Sequence, residues 1–307
     1  MTVVAPTTEG RERQTRTVLA AAWVVLLLVS ALPDIPLLEF AGEAPPWFFW
    51  GKVALLAVGI VAGLAWPPLR PLRQFFAMLL VIYLAEHLRV WGEMSALWQG
   101  WFGGASASFT QEMPGIQLMR LALALMGALL ALRFRPGQFH LAKGDLAAPA
   151  EPVRWLGLKQ PEPWTRLGRN LAVFVSLGTL AFLLLAGRPS LPILARALPL
   201  LPAVLVFAAM NSFGEGVTYK ASLLAPLGPV VGKSQALLLT AALFGLGHYT
   251  GVPYGVAGVV MAGFLGWLMA TSMWETKGLF RAWFIHFLQD VLIFSSMGIG
   301  SIVAGRG

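Results

Sequence analysis

Cysteine is absent from this chain of 307 residues, and charge is scarce: Asp, Glu, Lys and Arg make up 12% of it, about half the share usual in a soluble domain. The first absence excludes disulfide scaffolds, thiolate metal sites, iron–sulfur clusters and a cysteine nucleophile. The second excludes a disordered chain and a nucleic-acid-binding groove, which needs Lys and Arg clustered on a polar surface. The net charge of +8 therefore needs another explanation. No solenoid or inverted repeat is visible, which counts against a transporter built from duplicated halves. No small-x-small cleavage site follows the first apolar stretch, where Ala31-Leu32-Pro33-Asp34 stands, so that stretch reads as an uncleaved anchor.

What the chain has instead is apolar length: 57% of its residues are hydrophobic. Runs long enough to cross a bilayer as helices, about 17–25 residues, recur throughout. Nine are read: Thr17–Leu32, Trp47–Trp66, Phe75–Trp91, Ile116–Leu132, Leu171–Ala186, Leu200–Leu224, Ser234–His248, Gly255–Met273 and Ala282–Val303. The seventh is the shortest, so eight is the alternative count. The expected fold is an all-α polytopic transmembrane helical bundle.

The basic residues orient it. With the N-terminus inside, fifteen of the 22 Lys and Arg fall in inner segments, among them Arg11, Arg13 and Arg16, Arg70 and Arg73, Lys233, Lys277 and Arg281. Arg188 and Arg306 fall outside, and Lys52, Arg89, Arg120, Arg196 and Lys220 lie within or at the edges of spans. Cytoplasmic loops concentrate basic residues, so the +8 charge reports topology. Residues 1–132 read as a four-span bundle with no assignable role, 133–170 as a cytoplasmic linker rich in Pro and charge, and 171–307 as a five-span core. In the first of these, Glu86, His87 and Arg89 lie at a helix end, from which they can snorkel to the interface.

The core differs, because ionisable residues lie inside its apolar helices. Each costs about 2.5–3.5 kcal/mol on insertion scales and marks a functional site by default. Three clusters qualify: Asn211-Ser-Phe-Gly-Glu215-Gly-Val-Thr-Tyr-Lys220, Phe244-Gly-Leu-Gly-His248 and His286-Phe-Leu-Gln-Asp290. Residues four apart share a helix face, so Phe244 should stack on His248, and His286 should sit beside Asp290. Gly214 and Gly216 flank Glu215 and admit a close neighbour. One Glu, two His and one Asp on three helices can surround one water molecule. The Glu can take its proton, and a His can polarise it or stabilise an oxyanion. Each cluster also has a plainer reading. A lone His248 bonds a neighbouring helix, His286 and Asp290 form a solvated helix cap, and Glu215 pairs with Lys220.

At these residues the sequence resembles the CPBP family, the CAAX-protease and bacteriocin-processing glutamic intramembrane proteases, and their type II CAAX prenyl endopeptidase-like members. The family pattern is E-E-x-x-x-R, then F-x-x-x-H, then H-x-x-x-N or D on successive transmembrane helices. The second and third motifs are intact as Phe244/His248 and His286/Asp290, with Gly263 and Gly266 on the helix between them. The first departs: Glu215 takes the first Glu, Gly216 replaces the second and Lys220 replaces the Arg. The resemblance covers roughly residues 154–302.

That resemblance implies an intramembrane endopeptidase in which Glu215 activates water, His248 shares it, and His286 and Asp290 stabilise the oxyanion or orient the scissile carbonyl. Asn211, Phe244 and Lys220 support them. Lys220 is expected either to snorkel to the interface or to salt-bridge Glu215. His248 ends an outward-going helix, so a broken or re-entrant segment entered through Pro226 and Pro229 is expected to bring it back to mid-depth. No cofactor is implied, and a metal held by Glu215, His248 and His286 is the less favoured variant. The expected partners are membrane lipid and a peptide or membrane-protein substrate, not nucleic acid, and the expected location is the cytoplasmic membrane of a prokaryote. A non-catalytic scaffold or immunity factor on the same fold is the alternative function, motivated by Gly216 and Lys220, with a proton-coupled transporter third.

Overall fold

The computed structural model describes residues 8–103, 107–132 and 139–306, with side chains described for 15–103, 107–124 and 139–306. Of the expected inner charges, the side chains of Arg11, Arg13, Arg133 and Arg135 lie outside the described residues. In lipid every backbone N–H and C=O must be satisfied within the chain, which favours helices for apolar segments. The described helices are α1 (Thr8–Val29), α2 (Asp34–Ala41), α3 (Pro46–Ala65), α4 (Arg73–Glu93), α5 (Ala96–Phe102), α6 (Phe109–Leu132), α7 (Trp164–Gly187), α8 (Leu191–Ala197), α9 (Leu201–Gly216), α10 (Ser222–Leu246), α11 (Val256–Thr276) and α12 (Phe280–Val303). Among the described residues, β-structure is confined to the antiparallel pair β1 (Pro149–Ala150) and β2 (Glu162–Pro163).

Seven stretches of the described chain are long and apolar enough to cross a membrane. One of them, Leu191–Leu246, holds the sixth expected span and all but the last two residues of the seventh. The expected span Ile116–Leu132 lies in α6, whose side chains beyond residue 124 are not described. The fold is an all-α polytopic bundle of an integral membrane protein.

The chain divides into two compact units. The first comprises residues 1–84 and 222–267. Here α1 packs on α3 and α10, burying Leu26, Leu56, Phe75, Phe76 and Leu79. Two polar ties run between segments: Trp23 Nε1 donates to Gln235 Oε1 at 2.9 Å, and Lys52 donates to the Ser30 carbonyl at 2.7 Å and to Asp34. Lys52 is thus a buried, paired cation. In α10 the helix runs through Pro226 and Pro229 and breaks at Gly232, whose φ of 77° is left-handed. The expected irregularity is there, but it falls three residues beyond Pro229, where glycine tolerates that backbone.

The second unit comprises residues 85–221 and 268–307. Helix α12 packs on α7, α8 and α9, and α6 packs on α9, around Phe109, Met113, Val204, Phe207, Ala208 and Phe294. Gln289 of α12 donates to Ser176 Oγ at 2.9 Å and accepts from Thr179 Oγ1 at 2.7 Å. Trp283 donates to the Ala209 carbonyl at 3.0 Å. The stretch after residue 138, read as a linker, is tied to the turn before α12. Leu279 N donates to the Ala142 carbonyl and Asp145 N to the Thr276 carbonyl, both at 2.8 Å. Gly144 has a left-handed φ of 76°, and a Cβ there would come within 2.8 Å of Gly278 Cα. Trp164 is buried and donates to Glu275 at 2.8 Å. This stretch therefore fixes where α12 begins.

Candidate active site

The second unit brings together residues of α6, α9 and α12. Asn211 and Glu215 are one turn apart near the end of α9, and His286 and Asp290 are one turn apart in α12. His286 Nε2 lies 3.5 Å from Glu215 Oε2 and 3.5 Å from Asp290 Oδ1. Asn211 Nδ2 donates to Glu215 Oε1 at 3.2 Å and to Asp290 Oδ2 at 3.1 Å. One amide thus bridges two carboxylates, satisfying an oxygen on each where lone charges would be costly. His286 and Asp290 are 5% and 4% exposed, so they are not the solvated helix cap of the plainer reading.

The register after Glu215 is not α-helical. Residues 217–221 form a π-helical turn, an irregularity that favours functional sites. In an unbroken α-helix Lys220 would stand about 140° round from Glu215. The wider π turn brings positions five apart towards one side. Lys220 is wholly enclosed, and its ammonium interacts with the charges of Glu215 and Asp290. Snorkelling is therefore excluded, because protein surrounds the side chain on all sides. Beside it, a Cβ on Gly216 would come within 2.8 Å of Leu279 Cδ1. At 216, where the family pattern carries its second Glu, the space belongs to Leu279.

Glu215 also borders a small, partly open cleft of about 40 Å³, lined by Glu86, Arg120, Leu123, Gly214, Thr218 and Tyr219 as well. Such a space takes a few water molecules. Tyr219 donates to Glu86 Oε1 at 2.7 Å, and Arg89 Nε donates to Glu86 Oε2 at 2.6 Å. Glu86 and Arg89, read as side chains that can snorkel at a helix end, are bonded to each other, and Glu86 is tied to the π turn. Arg120 of α6 donates to Asn211 Oδ1, and its Nη1 lies 3.7 Å from Glu215 Oε1.

Phe244 and His248 belong to the first unit and meet each other as their spacing predicts, with ring centroids 4.4 Å apart. His248 Nδ1 is 2.7 Å from the Phe244 carbonyl oxygen. Its loop is closed by Gly251 N donating to the His248 carbonyl at 2.9 Å and Gly255 N to the Tyr249 carbonyl at 2.7 Å. Tyr249 and Tyr254 both donate to Glu39 Oε1, at 2.7 and 2.6 Å. Of the residues singled out in the sequence, Asn211, Glu215, Lys220, His286 and Asp290 thus belong to one unit, and Phe244 and His248 belong to the other. Arg120, Glu86 and Tyr219 were missed as site residues. The signal for Arg120 was available: it is an arginine in an apolar run, as Glu215 is a glutamate in one.

A carboxylate–imidazole–carboxylate cluster beside a water-sized cleft holds the groups that general acid–base chemistry on a water molecule requires. The family model "Type II CAAX prenyl endopeptidase Rce1-like" matches residues 197–292, the same family that the motif order resembles. The match spans all three motifs and stops short of Glu86 and Arg120. No curated protein and no solved structure matches the chain.

Proposed function

We propose that this protein is an intramembrane endopeptidase that hydrolyses a peptide bond in or beside the bilayer, in the cytoplasmic membrane of a prokaryote. The observation that carries the reading is Glu215, a largely buried carboxylate whose Oε2 lies 3.5 Å from His286 Nε2 and which borders a cleft that admits water. Glu215 takes a proton from a water molecule, whose oxygen adds to the scissile carbonyl carbon. The C–N bond then breaks, and the proton passes from Glu215 to the departing amine nitrogen. His286, braced by Asp290, stabilises the oxyanion or orients the carbonyl. His248 enters on its F-x-x-x-H motif alone, as the histidine that shares the water in the family. The partners are a peptide or membrane-protein substrate and the surrounding lipid.

The test is Glu215→Gln in purified, lipid-reconstituted protein, assayed on membrane-segment peptides with cleavage read by mass spectrometry. Cleavage should fall about a thousandfold or more, as for loss of an essential base, while the melting temperature stays within a few degrees. Full proteolysis by the variant sinks the assignment.

A second reading, a non-catalytic membrane scaffold on the same fold, is favoured by one observation: Lys220 is sealed beside Glu215 and Asp290, as in a structural ion cluster. Under that reading Glu215→Gln leaves the cellular phenotype intact.

A further inference from the structure

We propose that Arg120 is a positioning residue of this site, so that α6, which lies outside the family-matched segment, completes the active centre. The inference rests on the proteolytic reading above. An arginine within a transmembrane helix is costly unless it is paired, and Arg120 has two partners across the helix interface, Asn211 Oδ1 and Glu215 Oε1.

Its action on Asn211 follows from the chemistry of a primary amide, which carries two N–H donors at one end and an acceptor oxygen at the other. The Arg120 guanidinium can only donate, so it selects the amide oxygen. That leaves the Nδ2 end facing Glu215 and Asp290, where it bonds an oxygen of each. The opposite orientation would set the amide oxygen against two carboxylates and the NH2 against a guanidinium, three repulsive contacts in place of three attractive ones. Arg120 and the two carboxylates thus select the same orientation, and by holding the amide oxygen Arg120 anchors Asn211 at the position from which it spaces Glu215 and Asp290 around His286.

The first motif shows why such a residue is needed. Its second Glu is Gly216, with Leu279 in the adjoining space, and its cation is Lys220, enclosed on the protein side. Arg120 lines the cleft with Glu215 and keeps about a third of its side chain exposed. It brings a cation to the open side of the cluster, which the matched segment leaves without its usual ion pair.

The experiment compares kcat and KM of the full-length, lipid-reconstituted chain for the wild type, Arg120→Met, Arg120→Lys, Asn211→Ala and the Arg120→Met/Asn211→Ala double variant, with Glu215→Gln in parallel. Arg120→Met should lower kcat by about 10- to 100-fold with KM within about twofold, the penalty of a misplaced group. Arg120→Lys should recover most of the loss. Because Arg120 acts largely through Asn211, with its own ion pair to Glu215 as the remainder, the loss in the double variant should fall well short of the product of the two single losses. Wild-type kcat in Arg120→Met, or losses that multiply in the double variant, overturn the inference. Should Arg120→Met not fold, Arg120→Gln replaces it under the same criteria. When the wild type cleaves and Glu215→Gln does not, these outcomes judge Arg120 alone. When both cleave equally, the proteolytic reading fails first and the positioning role falls with it.

Discussion

His286 Nε2 stands 3.5 Å from Glu215 Oε2, joining α12 to the end of α9 through a buried imidazole and a carboxylate that borders the cleft. The same nitrogen is equally far from Asp290, so one ring sits between two acids and responds to changes in either.

Substitutions in α12 should therefore separate charge from hydrogen bonding. His286→Ala leaves two carboxylates facing each other and should lower kcat by about a hundredfold or more. Asp290→Asn keeps the shape and one hydrogen-bonding end, so it should cost about tenfold less than Asp290→Ala. Steady-state cleavage of a membrane-segment peptide measures both, and equal losses in the two Asp290 variants would contradict the bracing role.

Gly216 offers a test of packing. A Cβ there meets Leu279 Cδ1 at 2.8 Å, the tip of a flexible side chain. Gly216→Ala should cost about 1 kcal/mol or less, because the Leu279 tip can swing aside and alanine is the better helix former. Leu279→Ala should itself cost about 2–5 kcal/mol, and in that background Gly216→Ala should cost less than it does alone. Melting temperatures in detergent for the two singles and the double give the coupling directly.

Gly266 has a similar relation to the second motif. A Cβ on Gly266 would lie 2.9 Å from Phe244 Cδ1, and Phe244 is the ring stacked on His248. Gly266→Ala should thus displace Phe244, reduce cleavage several-fold and destabilise the protein by about 1–3 kcal/mol through overpacking. Gly178→Ala, at a position open to added bulk, is the matched control and should change neither.

The stretch pinned to the start of α12 gives a pH dependence. Burial pulls the His140 imidazole down to about 4, the Lys277 ammonium adds to the effect, and a hydrogen bond with the Met273 backbone opposes it. The unfolded chain binds this proton below about 6.5, whereas the folded chain does not bind it until about 4. Stability is therefore full above 6.5 and falls as the pH drops through the window down to 4, by about 1.4 kcal/mol per unit from this group. His140→Gln should flatten the melting temperature across that window, and an unchanged slope would remove His140 as its source.

The proposed base mechanism also predicts insensitivity to chelation. In that mechanism Glu215 serves as the proton acceptor for water, with Asn211 holding one of its oxygens in place. Cleavage after exhaustive EDTA treatment should stay within about twofold of the untreated rate, because no step depends on a Lewis acid. Activity that is lost and then restored by added Zn²⁺ would replace the base mechanism with a metal-assisted one.

Much of this protein was legible in its sequence, for reasons that act locally. Apolar length alone called for the helices, since a backbone in hydrocarbon must satisfy itself. Spacing of four called for the Phe244–His248 stack and the His286–Asp290 pair, since those contacts lie one turn apart on one helix. Scarcity of charge made Glu215 conspicuous. The position of the break in α10 was legible only in part: two prolines drew attention to the segment, but the helix accommodates both and yields at Gly232.

Contacts made at a distance were decided by the tertiary structure alone. Nothing in the spacing of Arg120, Asn211, Glu215 and Asp290 shows that a guanidinium from α6 orients an amide on α9 between acids from α9 and α12. That arrangement depends on how the helices pack. The enclosure of Lys220 depends on a π turn that shifts the register after Glu215. A sequence pattern read at 3.6 residues per turn assigns such a residue to the wrong face.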